Sequence, residues 1–153
     1  MDTTVERRRT VTAEDYVEIL DFYARQMRLL DDLKITEYSM TFTVDGVVNH
    51  AHRAERAVGR QAMIDGMRAA LPRYEGVVAR HWFDHLLIEP LDGSSWRVSY
   101  YTLVTRTDEA GLVAFEPTFT VTDELVRVGD EILTRSRVIH RDTPDSNVVR
   151  GVD

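Results

Sequence analysis

No cysteine occurs among the 153 residues, which excludes a disulfide framework, a thiolate nucleophile and any cysteine-based metal site. Lysine occurs once, at Lys34, so a Schiff-base mechanism has a single position open to it. Basic charge is otherwise arginine and is outnumbered: 26 acidic residues against 19 basic ones leave a net charge of −7. That balance argues against nucleic acid, whose phosphates repel such a surface. No basic stripe offsets it; Arg7-Arg8-Arg9 is a short cationic patch in a polar stretch. No apolar run approaches the ~18 residues of a membrane span, and the N-terminus lacks an apolar signal region. A soluble cytoplasmic protein without nucleic-acid or membrane partners is the expectation. Neither a Gly-rich phosphate loop nor a G-x-S-x-G elbow occurs; the glycines punctuate turns.

What the chain does have is a long β region behind a helical one. Four strands are expected at Arg80–Glu89, Ser95–Thr107, Leu112–Arg127 and Glu131–Arg141. They are separated by Asp92-Gly93-Ser94, Asp108-Glu109-Ala110-Gly111 and Val128-Gly129-Asp130, the residue types that hairpins require. Ahead of them, Thr12-Ala13-Glu14-Asp15 reads as a capping box. Tyr16, Leu20, Tyr23, Met27 and Leu30 then recur at helical steps to about Asp32. A short helix is expected over Thr36–Phe42, a small hairpin from Val47–His52 with Ala57-Val58, and a third helix over Arg60–Leu71 with Met63, Ile64, Met67 and Leu71 inward. Helices followed by long strands make an α+β layer fold. One domain over 12–145 is expected, between tails at 1–11 and 146–153.

This order, with particular residues, resembles the nuclear transport factor 2-like superfamily. Within it the chain is most similar to the SnoaL-like group of polyketide cyclases, dehydratases and isomerases. The resemblance rests on five segments: Tyr38 to Gly46, ending Phe42-Thr43-Val44-Asp45-Gly46; Gly59-Arg60 opening a helix; Arg80-His81 opening the first long strand; Asp123 to Arg127; and Arg135 to Asp142. It runs from about Thr12 to Asp142 and implies three helices packed on a strongly curved sheet that encloses a pocket. There are two departures. Asp130-Glu131 stands where the group usually has tryptophan after the last hairpin glycine. Scytalone-dehydratase-like members carry a catalytic Tyr-Asp pair late in the first helix, where this chain reads Met27-Arg28-Leu29-Leu30, with Tyr23 and Asp31 as stand-ins.

Alternation along a strand puts His81, Phe83, His85 and Leu87 on one face and Trp82, Leu86 and Ile88 toward the other. The resemblance assigns the His81 face to the interior and sets Tyr101 where related dehydratases have a second histidine. Glu116, Thr118 and Thr120 alternate onto the interior of the third strand. The candidate catalytic set is therefore His81, Tyr101 and Glu116. The candidate substrate-binding residues are Tyr23, Met27, Tyr38, Phe42, Phe83, Leu103, Thr118 and Thr120. Imidazole titrates near neutrality, phenol can hydrogen-bond a developing enolate, and a carboxylate in an apolar cavity can act as an acid. His50-Ala51-His52 with Glu55 suggests a cupin-like metal site, but the Glu spacing is one residue short and no second motif follows. No metal or cofactor is expected. The reading is an enzyme that cyclises, isomerises or dehydrates a hydrophobic, polyketide-like substrate. The alternative is a ligand-binding or structural subunit like the small subunits of ring-hydroxylating dioxygenases. Trp82, Leu86, Ile88, Val98 and Tyr100 on the outer sheet face point to a homodimer.

Overall fold

The computed structural model describes residues 9–143; the expected tails, residues 9–11 apart, and the domain end at 145 lie outside them. Helix α1 spans Ala13–Asp31, and the Thr12 hydroxyl accepts a 3.1 Å bond from the Asp15 amide. Glu14 and Asp15 stand in the first turn, where carboxylates suit the positive end of the helix. The buried stripe is Ile19, Tyr23, Gln26 and Met27. Tyr16 and Leu20, expected inward, sit at its edge, each 37% exposed.

Helix α2 covers Ile35–Met40, and Phe42, expected as its last residue, instead opens strand β1, Phe42–His50. The reason is tertiary: the Thr134 amide donates to Thr41 O at 2.9 Å and Phe42 pairs with Thr134, which draws the chain into the sheet. Strand β2, Glu55–Val58, returns along β1 with Val47 opposite Val58. Helix α3, Arg60–Ala70, is fixed by Arg60, whose Nε and Nη2 donate to Phe42 O at 3.0 and 2.6 Å. Met63 is buried against Tyr38, Phe42 and Val48. Leu71, expected on the inward face, lies in a following 3-10 turn, 38% exposed.

Strands β3 (Val78–Asp92), β4 (Ser95–Thr107), β5 (Val113–Phe115), β6 (Phe119–Val128) and β7 (Glu131–Arg141) complete the sheet. The order is β2-β1-β7-β6-β4-β3, with β5 added beside β4; only β1 and β7 run parallel. The result is three helices packed on a mostly antiparallel, curved sheet that does not close. The expected single strand Leu112–Arg127 is broken at Glu116-Pro117-Thr118, because proline has no amide to give the ladder.

One irregularity sets which side chains face inward. Asp84 pairs with Tyr101 and Leu87 with Ser99, so His85 and Leu86 together oppose Tyr100 alone. This is a β-bulge, and His85 takes the extra residue's turn at φ 58°. Alternation reverses across it. Leu86 and Ile88 pack on the core instead of the outer face, whereas Leu87 is 60% exposed. Val98 and Tyr100, expected outside, are core residues with Ile19, Tyr23, Trp96, Val121 and Leu125.

Candidate active site

Two polar constellations lie on the helix-covered side of the sheet. The first joins the end of α1 to the start of β3. Asp31, the last residue of α1, accepts two bonds on Oδ1: one from the His81 backbone amide at 3.1 Å and one from the ring Nδ1 at 2.7 Å. The side chains are 21% and 8% exposed for His81 and Asp31. With Nδ1–H committed to the carboxylate, the ring's other nitrogen, Nε2, carries the free lone pair. The backbone bond holds the carboxylate in register, and the carboxylate holds the ring. An imidazole fixed this way can take a proton while the adjacent negative charge compensates the positive charge that develops. Phe83, two residues on, continues the inward face and meets Tyr23 and Tyr100 at ring-centroid separations of 5.3 and 5.5 Å.

The second constellation is fully buried. Arg137 on β7 stands directly opposite Asp123 on β6 and grips it with Nε–Oδ1 at 2.9 Å and Nη2–Oδ2 at 2.7 Å. The hydroxyls of Tyr23 and Tyr100 also donate to Asp123 Oδ2, at 2.9 and 3.2 Å. Arg137 donates further to the Tyr38 hydroxyl at 2.8 Å and to Gln26 Oε1 at 2.6 Å. The Gln26 amide then bonds Thr41 and Thr134. Burial, and then the Asp123 charge, pushes Tyr23 far above the ordinary phenol range. Burial likewise raises Tyr100 and Tyr38, against the pull of Arg137. All three phenols therefore stay protonated near neutrality. Burial works against the Arg137 charge, but the Asp123 carboxylate outweighs it and holds the guanidinium well above its usual range.

The expected catalytic set does not converge. His81 faces inward as read. Tyr101 is 58% exposed on the outer face, where its ring lies 5.6 Å from that of His85. Leu103, opposite Trp82, is on that outer side as well. Thr118 and Thr120 donate to Asp142 at 2.8 and 2.7 Å in an exposed cluster. The interior residues of β6 are instead Val121, Asp123 and Leu125. The reason is the break at Pro117: alternation counted through it gives the wrong parity. Glu116 does not join His81 but pairs with Arg106, Nη1 to Oε1 at 3.2 Å. Tyr23, Met27, Tyr38, Phe42 and Phe83 do lie on the inner side, four of them buried and Phe83 packed against the core.

Sequence reasoning missed Asp31 as the partner of His81, naming it only as a stand-in, and passed over Asp123, Arg137 and Gln26. A signal was present for one of these: Val121-x-Asp123-x-Leu125 puts a lone carboxylate on an otherwise apolar strand face.

His50 closes β1, its ring 6.1 Å from that of His52. Among the described residues no three His, Asp or Glu side chains are grouped to hold a metal ion. Burial, reinforced by Arg53, drops the His50 pKa to about 4. The folded protein thus binds fewer protons there than the unfolded chain, so stability is full above about pH 6.5 and falls as pH drops toward 4. Because the ring is partly solvated, the loss should be on the order of 1–2 kcal/mol. Urea midpoints measured between pH 7.5 and 4.5 should show this slope, and His50→Gln should flatten it.

A curved, unclosed sheet with three helices over one face is the nuclear transport factor 2-like, cystatin-like fold. The model of the SnoaL-like domain matches residues 11–138, and the chain belongs to that family. It is 40% identical to Aln2 from a Streptomyces species, over 88% of this chain and 95% of that one, with a TM-score of 0.84. A protein from Catenulispora acidiphila, solved in complex with S-DNPA, is 38% identical over 86% of this chain and 96% of that one, TM-score 0.78. ActVI-ORFA from Streptomyces coelicolor is 32% identical over 85% and 98%, TM-score 0.79. No curated protein matches. Among the described residues no helix is long and apolar enough to cross a membrane.

Proposed function

We propose that this protein catalyses cyclisation, or a related isomerisation or dehydration, of a small hydrophobic polyketide-type ketone, using its own side chains and no cofactor. The observation that carries the reading is the 2.7 Å contact between His81 Nδ1 and Asp31 Oδ1 on the inner face. In this scheme His81 Nε2 removes a proton from the carbon beside a carbonyl, and the electron pair moves to the carbonyl oxygen as an enolate. The enolate carbon then bonds to a second carbonyl of the same chain, and the imidazolium returns its proton to the new alkoxide. In dehydration the returned proton leaves with a hydroxyl as water. Asp31 keeps the ring in one tautomer throughout. Likeness to Aln2 and ActVI-ORFA, and a relative solved with the ligand S-DNPA, support a small-molecule substrate.

The test is turnover of hydroxylated aromatic polyketones by the purified protein, followed by chromatography and mass spectrometry, with His81→Asn as control. Tight binding of such ketones with no turnover, even in single-turnover experiments, would favour a ligand-binding or structural subunit.

The same reading includes a homodimer closed across the outer sheet face. There Trp82 and Tyr101 are each 58% exposed and Leu87 is 60% exposed, an apolar area of the kind that marks interfaces. Light scattering at micromolar concentration should return twice the chain mass, and Trp82→Glu should shift it to the monomer. A monomeric wild type would remove the dimer from the proposal.

A further inference from the structure

Arg106 lies on the inner side of β4, two residues beyond Val104. Val104 pairs with His81, and Arg106 pairs with the buried Ala79. Arg106 and His81 are therefore diagonal neighbours on one face, ~7–8 Å apart along such a ladder. The guanidinium lies over the Tyr74 ring, 5.3 Å from its centroid, and donates from Nη2 to the Arg73 carbonyl. Its remaining protein partner is one oxygen of Glu116, at 3.2 Å. The Glu116 backbone is tied down in turn, its amide donating to Val104 O at 2.9 Å. The side chains of Arg106 and Glu116 are 25% and 36% exposed, so solvent and ligands reach the pair.

The arrangement is unusual for a merely structural ion pair. The guanidinium lies over an aromatic ring, yet its carboxylate partner makes a single contact. A half-exposed pair of that kind contributes little to stability, whereas a planar guanidinium binds a carboxylate best through two parallel bonds. A ligand carboxylate therefore has a stronger geometry available than Glu116 uses. In a protein of net charge −7, this is a cation carried on the same sheet face as the candidate base.

We propose that Arg106 anchors a carboxylate of the substrate, with Glu116 as a displaceable placeholder, so that the substrate is a free acid rather than a carrier-bound thioester. This rests on the reading that the substrate sits against His81. It adds that a reaction releasing the chain as an acid comes before this one. Arg106 is thus a specificity-determining residue, and Glu116 opposes acid binding by competing for it.

Binding alone tests the inference. Calorimetric titration with 1-naphthaleneacetic acid and with its methyl ester should show the acid binding at least tenfold more tightly to the wild type. Arg106→Gln should abolish that preference, and Glu116→Gln should enlarge it several-fold by freeing the guanidinium. Equal affinity for the two probes, binding of neither, a preference that survives Arg106→Gln, or a smaller preference in Glu116→Gln would each overturn the proposal. Should Arg106→Gln fail to fold, the wild-type and Glu116→Gln titrations decide it. His81→Asn separates the two readings: it should remove turnover while leaving the acid preference intact. If it left turnover unchanged, only the assignment of His81 as the base would fall.

Discussion

Replacing His81 with asparagine should lower turnover by about 10²–10⁴, the range general acid–base catalysis supplies. Asparagine keeps a polar group near Asp31 but cannot carry a proton between substrate atoms. Any limb of the pH–rate profile that this base sets should vanish with it. Asp31→Asn should cost less. Its carboxamide oxygen still accepts the Nδ1–H bond now made at 2.7 Å, but the charge that compensates the imidazolium is gone. Nitrogen-15 spectra of His81 should then show a mixed tautomer population where the wild type shows one. The contrary outcome is equally specific. If preorganisation of a reactive chain supplies the rate, His81→Asn leaves turnover and pH profile unchanged, and truncating Phe83 or Phe42 is what slows it.

The largest stability effect is expected at the Asp123–Arg137 pair, whose side chains are 0% and 4% exposed. Arg137→Met leaves a carboxylate in the core with only the Tyr23 and Tyr100 hydroxyls to solvate it. Breaking a buried pair on one side costs about 3–5 kcal/mol, a large share of the stability of an ordinary domain. Asp123→Leu strands the guanidinium and should cost a comparable amount. The double variant, with neither charge left, should recover much of the loss, because burying the pair was itself expensive. Urea unfolding of the four proteins gives the coupling directly. Additive losses in the double variant would mean that the pair is not the unit that matters and that the surrounding Gln26 and Tyr38 bonds dominate.

How far the chain could be read depended on whether a feature was local. Capping by Thr12, the three hairpin turns and the helix opened by Gly59-Arg60 all follow from residues near one another, and the structure has them; the inward face of His81 came from the family resemblance. Two of the strand-face errors share one origin. A period-two count is right only while pairing is regular, and two positions break it: the bulge at His85, and Pro117. The first exchanged the faces of Leu86, Leu87 and Ile88. The second put Thr118 and Thr120 on the wrong side. Tyr101 was a different mistake: a position carried over from relatives, one residue from Tyr100, whose hydroxyl meets Asp123.

By itself the sequence determined the α+β architecture, the family and the residue types available for proton transfer. Turn chemistry, capping and hydrophobic period are short-range, and their order along the chain leaves few ways to cover a long sheet. What only the tertiary structure decided is which of those residues meet. Asp31 reaches His81 across 50 positions and Arg137 reaches Gln26 across 111. Those contacts depend on strand register, on a bulge one residue long and on the angle at which α1 crosses the sheet. No local pattern encodes them, because they arise when separate elements bury their apolar faces together and the polar groups carried inside must find partners.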